Sequence, residues 1–149
     1  MNRKVSYILV LICVLFFCAS PSAFGAKDED LSGFLNATYG LIGKKPGSSE
    51  TYSGSVAIRA HGDGIEVVRC VGTSRITGKA SIVPVTSDRI PNLKVEWRDG
   101  KDRYEAFYMI HSDADNYARL SGPYVRLTDR AKFGWELLYV DPHGAPVCK

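Results

Sequence analysis

Residues 51–71 read TYSGSVAIRAHGDGIEVVRCV. Tyr52, Gly54, Val56, Ile58 and Ala60 recur at every second position, with Thr51, Ser53, Ser55 and Arg59 between them. A period of two marks a strand with one buried face. His61-Gly62-Asp63-Gly64 follows, and Gly and Asp tolerate the positive backbone angles of a tight hairpin. Ile65 to Val71 then runs back as the next strand. The stretch therefore predicts a β-hairpin, and the rest of the chain repeats its logic.

Upstream, Phe34 to Ile42 places Leu35, Ala37, Tyr39 and Leu41 on one face, and Lys44-Lys45-Pro46-Gly47-Ser48-Ser49 is a loop by composition. Downstream, Gly72 to Ser74 turns the chain. A fourth strand from Arg75 to Val83 stops at Pro84. After a loop from Thr86 to Asn92, Leu93, Val95 and Trp97 alternate with Lys94, Glu96 and Arg98, and Asp99-Gly100 is a hairpin signal. Arg103 to His111 aligns Tyr104, Ala106, Tyr108 and Ile110. Tyr117 to Leu127 is a seventh strand, with a bulge or bend expected at Gly122-Pro123. Thr128 to Ala131 turns, and Lys132 to Val140 is the eighth. Helical periodicity is nearly absent. The fold expected is all-β, an antiparallel up-and-down meander of about eight strands closing into a barrel, with a β-sandwich as the alternative.

Ahead of this domain lies a different composition. Arg3 and Lys4 precede an apolar run from Val5 to Ala19, then Ser20, Pro21, Ser22 and Ala23-Phe24-Gly25. That is the layout of a secretory signal peptide cleaved after Gly25. A membrane anchor needs about 20 apolar residues, more than this run holds. A lipoprotein signal would place lipid on Cys18, yet Phe16-Phe17 stand where small residues are usual. The organisation expected is thus residues 1–25 as signal and 26–149 as one β-barrel domain, exported to the periplasm or secreted, with no membrane span in the mature chain.

Cleavage changes the arithmetic. Arg3 and Lys4 leave, so 19 basic residues become 17 against 16 acidic ones. A near-neutral domain gains little from counterion release, so no nucleic-acid partner is expected. Cys13 and Cys18 leave too, and Cys70 with Cys148 remain. In an exported domain that pair reads as one disulfide, the alternative being two free thiols. Two cysteines do not make a structural zinc site, and no His pair has ligand spacing, so no metal or cofactor is expected.

Tyr52-Ser53-Gly54-Ser55-Val56-Ala57-Ile58 with Gly62-Asp63, Val68-Arg69 and Gly72 resembles small exported bacterial proteins of unknown function. So do Leu93-x-Val95-x-Trp97, Asn116-Tyr117-Ala118-Arg119-Leu120-Ser121-Gly122 and Gly134-x-Glu136-x-Leu138. More distantly the architecture is similar to the calycins: lipocalins, fatty-acid-binding proteins and avidins. Where lipocalins carry Gly-x-Trp near the first strand, this chain has Gly33-Phe34-Leu35. The resemblance implies a barrel and carries over no ligand-binding residue, since architecture alone does not imply function.

Chemistry-bearing residues are few. His61 and His111 fall at a turn and a strand end with no nucleophile motif beside them, so no catalytic residue is assigned and no enzyme is expected. Asp113-Ala114-Asp115-Asn116 lacks the further ligands and the glycine of a calcium loop and reads as a polar turn. Asn36-Ala37-Thr38 matches an N-glycosylation acceptor but lies inside an expected strand. Arg69 shares a face with Ile65, Val67 and Val71. If that face is inside, its charge needs a carboxylate partner or an anionic ligand. If Val68 and Cys70 are inside instead, Arg69 is solvated.

Tyr39, Tyr52, Trp97, Tyr104, Tyr108, Phe133 and Trp135 fall on apolar strand faces, where they either line a cavity or fill a core. The ligand-binding residues expected are Tyr39, Tyr52, Arg69, Trp97, Tyr108 and Trp135. The function expected is an exported, non-enzymatic binding protein holding a small apolar or aromatic ligand in or at the mouth of the barrel. The alternative is a cell-envelope protein-interaction module with a solid core, whose longest polar loops, Lys44 to Glu50 and Thr86 to Asn92, meet an envelope protein.

Overall fold

Eight antiparallel strands close into a barrel in the computed structural model, which describes residues 31–61, 64–85, 87–112, 118–140 and 148. The strands are β1 (Thr38–Lys44), β2 (Thr51–His61), β3 (Gly64–Val71), β4 (Ser74–Pro84), β5 (Pro91–Asp99), β6 (Asp102–Ser112), β7 (Ala118–Arg126) and β8 (Asp129–Val140). Each pairs with its neighbours in sequence, and β1 pairs with β8 from Tyr39–Val140 to Lys44–Trp135. Closure leaves no unpaired sheet edge. The expected barrel is present and the sandwich is not. The expected signal segment and the Asp113–Asn116 turn lie outside the described residues.

Alternation explains the core. In the hairpin of residues 51–71, Val56 and Ile58 on β2 face inward beside Arg69 and Val67 on β3. Leu41, Leu93, Val95, Ala106, Leu120 and Leu138 join them, all nearly without exposure. At about 25 cal/mol per Å² of apolar surface removed from water, this layer dominates the stability of the domain. Gly72 and Gly100 take positive φ in the β3–β4 and β5–β6 turns, as the composition of those turns requires.

Three local expectations are corrected. The first strand begins at Thr38, because residues 31–34 form one helical turn. Leu35 is still fully buried there, and the Tyr39 hydroxyl donates to its carbonyl at 2.8 Å. Asn36 is therefore exposed ahead of the strand, not within it. The eighth strand begins at Asp129, so the turn before it is only two residues long. Against β8 the register of β7 shifts between Val125 and Arg126 and runs unbroken through Gly122–Glu136 and Pro123–Trp135, whereas against β6 the pairing lapses at Gly122 and Pro123, where the bend was expected. A Cβ on Gly122 would lie 1.9 Å from the Phe107 carbonyl oxygen. Glycine there lets β7 hug β6 without an inserted residue.

Cys70 and Cys148 form a disulfide with Cα atoms 5.3 Å apart. Cys70 points outward from β3, between Ser55 and Arg75 on the neighbouring strands, and is nonetheless buried. The bond joins the C-terminal end of the chain to the barrel wall.

Candidate functional site

The two ends of the barrel differ. The end at which β2 passes to β3, β4 to β5 and β6 to β7 lies over the apolar layer and Leu35. At the opposite end, the turns at 45–50, 72–73, 100–101 and 127–128 surround a cavity of about 230 Å³. Its walls are Val71 and Ile76 on one side and Trp97, Tyr104 and Tyr124 on the other, with Tyr52 and Arg69 below and Lys45, Pro46, Ser74 and Asp99 at the rim.

The floor is a buried ion pair. Arg69 faces inward with 3% exposure, and so does Glu136, also at 3%. Arg69 Nη1 donates to Glu136 Oε2 at 3.0 Å and Nη2 donates to Oε1, a two-pronged contact between a guanidinium and a carboxylate. The Tyr52 and Tyr108 hydroxyls donate to the two carboxylate oxygens. Arg69 Nη1 also reaches the Tyr108 hydroxyl oxygen at 3.2 Å. Its guanidinium carbon lies 4.2 Å from the centre of the Trp97 ring, a cation–π contact strengthened by exclusion of water. Among the described residues no buried side-chain nitrogen or oxygen lacks a hydrogen-bond partner. Such full pairing is the condition for keeping charges inside.

The strands explain the geometry. Glu136 on β8 lies opposite Gly43 on β1 and Gly122 on β7, so both neighbours leave room for its side chain. The Tyr52 ring covers Gly43. Trp97 and Tyr104 are direct cross-strand partners, stacked with ring centres 5.4 Å apart and planes 11° from parallel. Tyr124 completes the cluster at 5.8 Å from Trp97 and 6.4 Å from Tyr104.

Burial, above all, raises the pKa of Tyr39, Tyr52 and Tyr108, and Glu136 adds to it for the last two. An unfolded tyrosine ionises near pH 10. Above that pH the unfolded chain sheds protons that the barrel retains, so their stabilisation is intact below pH 10 and is lost as the pH climbs beyond it. Urea midpoints measured from pH 8 upward are therefore expected to hold until about pH 10 and then fall. Tyrosinate absorption from these three phenols should appear only with unfolding. A smooth titration of every tyrosine in the folded protein would contradict the buried placement.

The structure brings together Tyr52, Arg69, Trp97 and Tyr108 of the residues singled out in the sequence. Tyr39 is corrected to the packed half, away from the cavity. Trp135 and Phe133 are corrected to the outside of the barrel, 50% and 54% exposed, where their rings meet edge to face. With Ile42, Met109 and Tyr139 they are exposed apolar positions on the outer wall of β1, β6 and β8. His61 and His111 are exposed on the outer wall, His111 beside Ser121 at 3.3 Å. Glu136, quoted only as a position in the Gly134-x-Glu136-x-Leu138 pattern, and Tyr124 were given no role at the site from the sequence. The signal for Glu136 was the charge of Arg69, which demanded an inward carboxylate, together with the phase of Leu138 and Val140.

Compared with known proteins, the chain matches no protein-family model and no curated protein. Fold and site define its class as a closed eight-stranded antiparallel β-barrel, compatible with a calycin-like architecture, whose hollow mouth is floored by a buried ion pair. Among the described residues no helix is long and apolar enough to cross a membrane.

Proposed function

We propose that this is an exported, non-enzymatic binding protein that holds a small, partly apolar ligand at the mouth of its barrel. One observation carries the reading: a cavity of about 230 Å³ between an aromatic wall and an aliphatic wall, above polar groups that already satisfy one another. A dry cavity of about 150 Å³ holds benzene, so this volume suits a single ring with a short substituent. Because Arg69 is neutralised by Glu136, the floor supplies orientation through the Tyr52 and Tyr124 hydroxyls more than net charge. Export is supported by the apolar leader of the sequence and by the disulfide.

The test is a thermal-shift screen of residues 26–149 against single-ring compounds, with fluorescence quenching as the second readout. At least one class of compound is expected to raise Tm, and Trp97→Ala should weaken its binding at least tenfold. A library with no binder would overturn the reading. The alternative, a cell-envelope interaction module, draws support from the exposed apolar positions Ile42, Met109, Phe133, Trp135 and Tyr139. It carries less weight because the hollow mouth departs from the solid core that it assumes.

A further inference from the structure

The barrel wall has a second concavity, separate from the mouth opening. The β4–β5 ladder ends at Gly78–Trp97, one step short of Thr77 and Arg98. Beside that ending lies a groove of about 350 Å³ lined by Thr77, Gly78, Lys79, Glu96, Trp97, Arg98, Arg103, Tyr104 and Leu127. Trp97, Tyr104 and Leu127 are its apolar side. Leu127 is held there by its N–H, which donates to the Arg103 carbonyl at 2.8 Å.

The polar side is almost entirely cationic. Arg98 and Arg103 are direct cross-strand partners. Like charges in that relation repel, so the pair destabilises the sheet that carries it. Among the described residues neither forms a close ion pair with a carboxylate, and Arg103 acts on Glu96 only at longer range, adding to the pull of Lys94 that lowers its pKa. Glu96 is the acid of the groove, opposite Lys79, and Lys94 holds it at 2.7 Å. Nearby, Asp102 is engaged by Arg126 at 3.5 Å, and Asp99 lines the mouth cavity. Positive charge therefore exceeds negative among the residues that line the groove.

We propose that the groove is a binding site for a phosphate monoester carried on a small apolar body. Two guanidiniums, an ammonium and the Thr77 hydroxyl are more donors than a planar carboxylate has oxygens to accept them, and they match the three terminal oxygens of a phosphate. The bound anion relieves the Arg98–Arg103 repulsion, which gives the charges a reason to sit opposite one another. The apolar body lies along Trp97, Tyr104 and Leu127. Trp97 and Tyr104 line the mouth cavity as well as the groove.

Calorimetric titration of residues 26–149 with phenyl phosphate, and with phenol as its neutral counterpart, tests this. Phenyl phosphate is expected to bind at least tenfold more tightly than phenol and to weaken as salt is raised. Arg98→Gln and Arg103→Gln should each weaken phenyl phosphate at least tenfold while raising Tm of the free protein, a combination that a merely structural role does not produce. Sedimentation with phosphatidylcholine vesicles containing phosphatidate separates the two sources of such a group. Capture by these vesicles that is lost in Arg98→Gln assigns the same site to a lipid headgroup. Equal binding of phenol and phenyl phosphate, unchanged binding in both variants, or no binding of phenyl phosphate or vesicles would overturn the proposal.

Discussion

Glu136→Ala is expected to destabilise the barrel by about 3–5 kcal/mol, the largest effect of any single substitution considered, because it leaves a buried charge without its partner. Arg69 would stay charged at any accessible pH, since a guanidinium does not lose its proton in proteins. At 3% exposure it is almost wholly shielded from water, although it forms part of the floor of the mouth cavity. For a domain of this size the loss corresponds to a fall in Tm of roughly 10–20 °C.

Arg69→Met combined with Glu136→Leu should recover most of that loss, since apolar groups that replace a buried ion pair are often neutral or stabilising. A residual cost of about 1–2 kcal/mol should remain, because the buried Tyr108 hydroxyl loses both of its contacts. Adding Tyr108→Phe should remove much of it. Guanidinium chloride midpoints of the four proteins measure the cycle. If Glu136→Ala and the double variant are equally destabilised, Arg69 is not held inside by Glu136.

The second large effect concerns the wall. Reduction of the Cys70–Cys148 bond, or Cys148→Ser, is expected to cost about 2–4 kcal/mol. The bond closes a segment of 78 residues, and cross-linking so long a loop removes much freedom from the unfolded chain. It also covers Cys70 on the outer face of β3, next in the chain to Arg69 on the inner face. Denaturation with and without reductant should separate the wild-type curves and leave the Cys148→Ser curve unmoved. Coincident wild-type curves would show that the bond contributes nothing to stability.

Much of this fold was legible in the sequence, and for a local reason. The alternation of residues 51–60 and 93–98, and the turn pairs at Gly72 and Asp99-Gly100, act over two to four positions. The strand and hairpin follow from them wherever the domain places them. Where a reading slipped, the local signal was divided. Phe34 and Leu35 fit a strand by alternation, but one helical turn buries Leu35 as well. On β8 one face carries Phe133, Trp135, Leu137 and Tyr139, and the other carries Gly134, Glu136, Leu138 and Val140. Period two gave no preference between them, and the larger aromatic face turned out to be the exposed one.

The site was less legible. The need of an inward Arg69 for a carboxylate was plain from its chemistry, but its partner stands 67 residues away. By itself, then, the sequence determined the number and order of the strands and most of their turns, because these rest on short-range periodicity, and it offered the Cys70–Cys148 bond as one of two readings. Only the tertiary structure decided which face of β8 looks inward, that Glu136 neutralises Arg69, and that one end is filled while the other is hollow. The reason is physical: alternation says which residues share a face, and closure of β1 on β8 says which face is inside, where charges must pair and volume is limited.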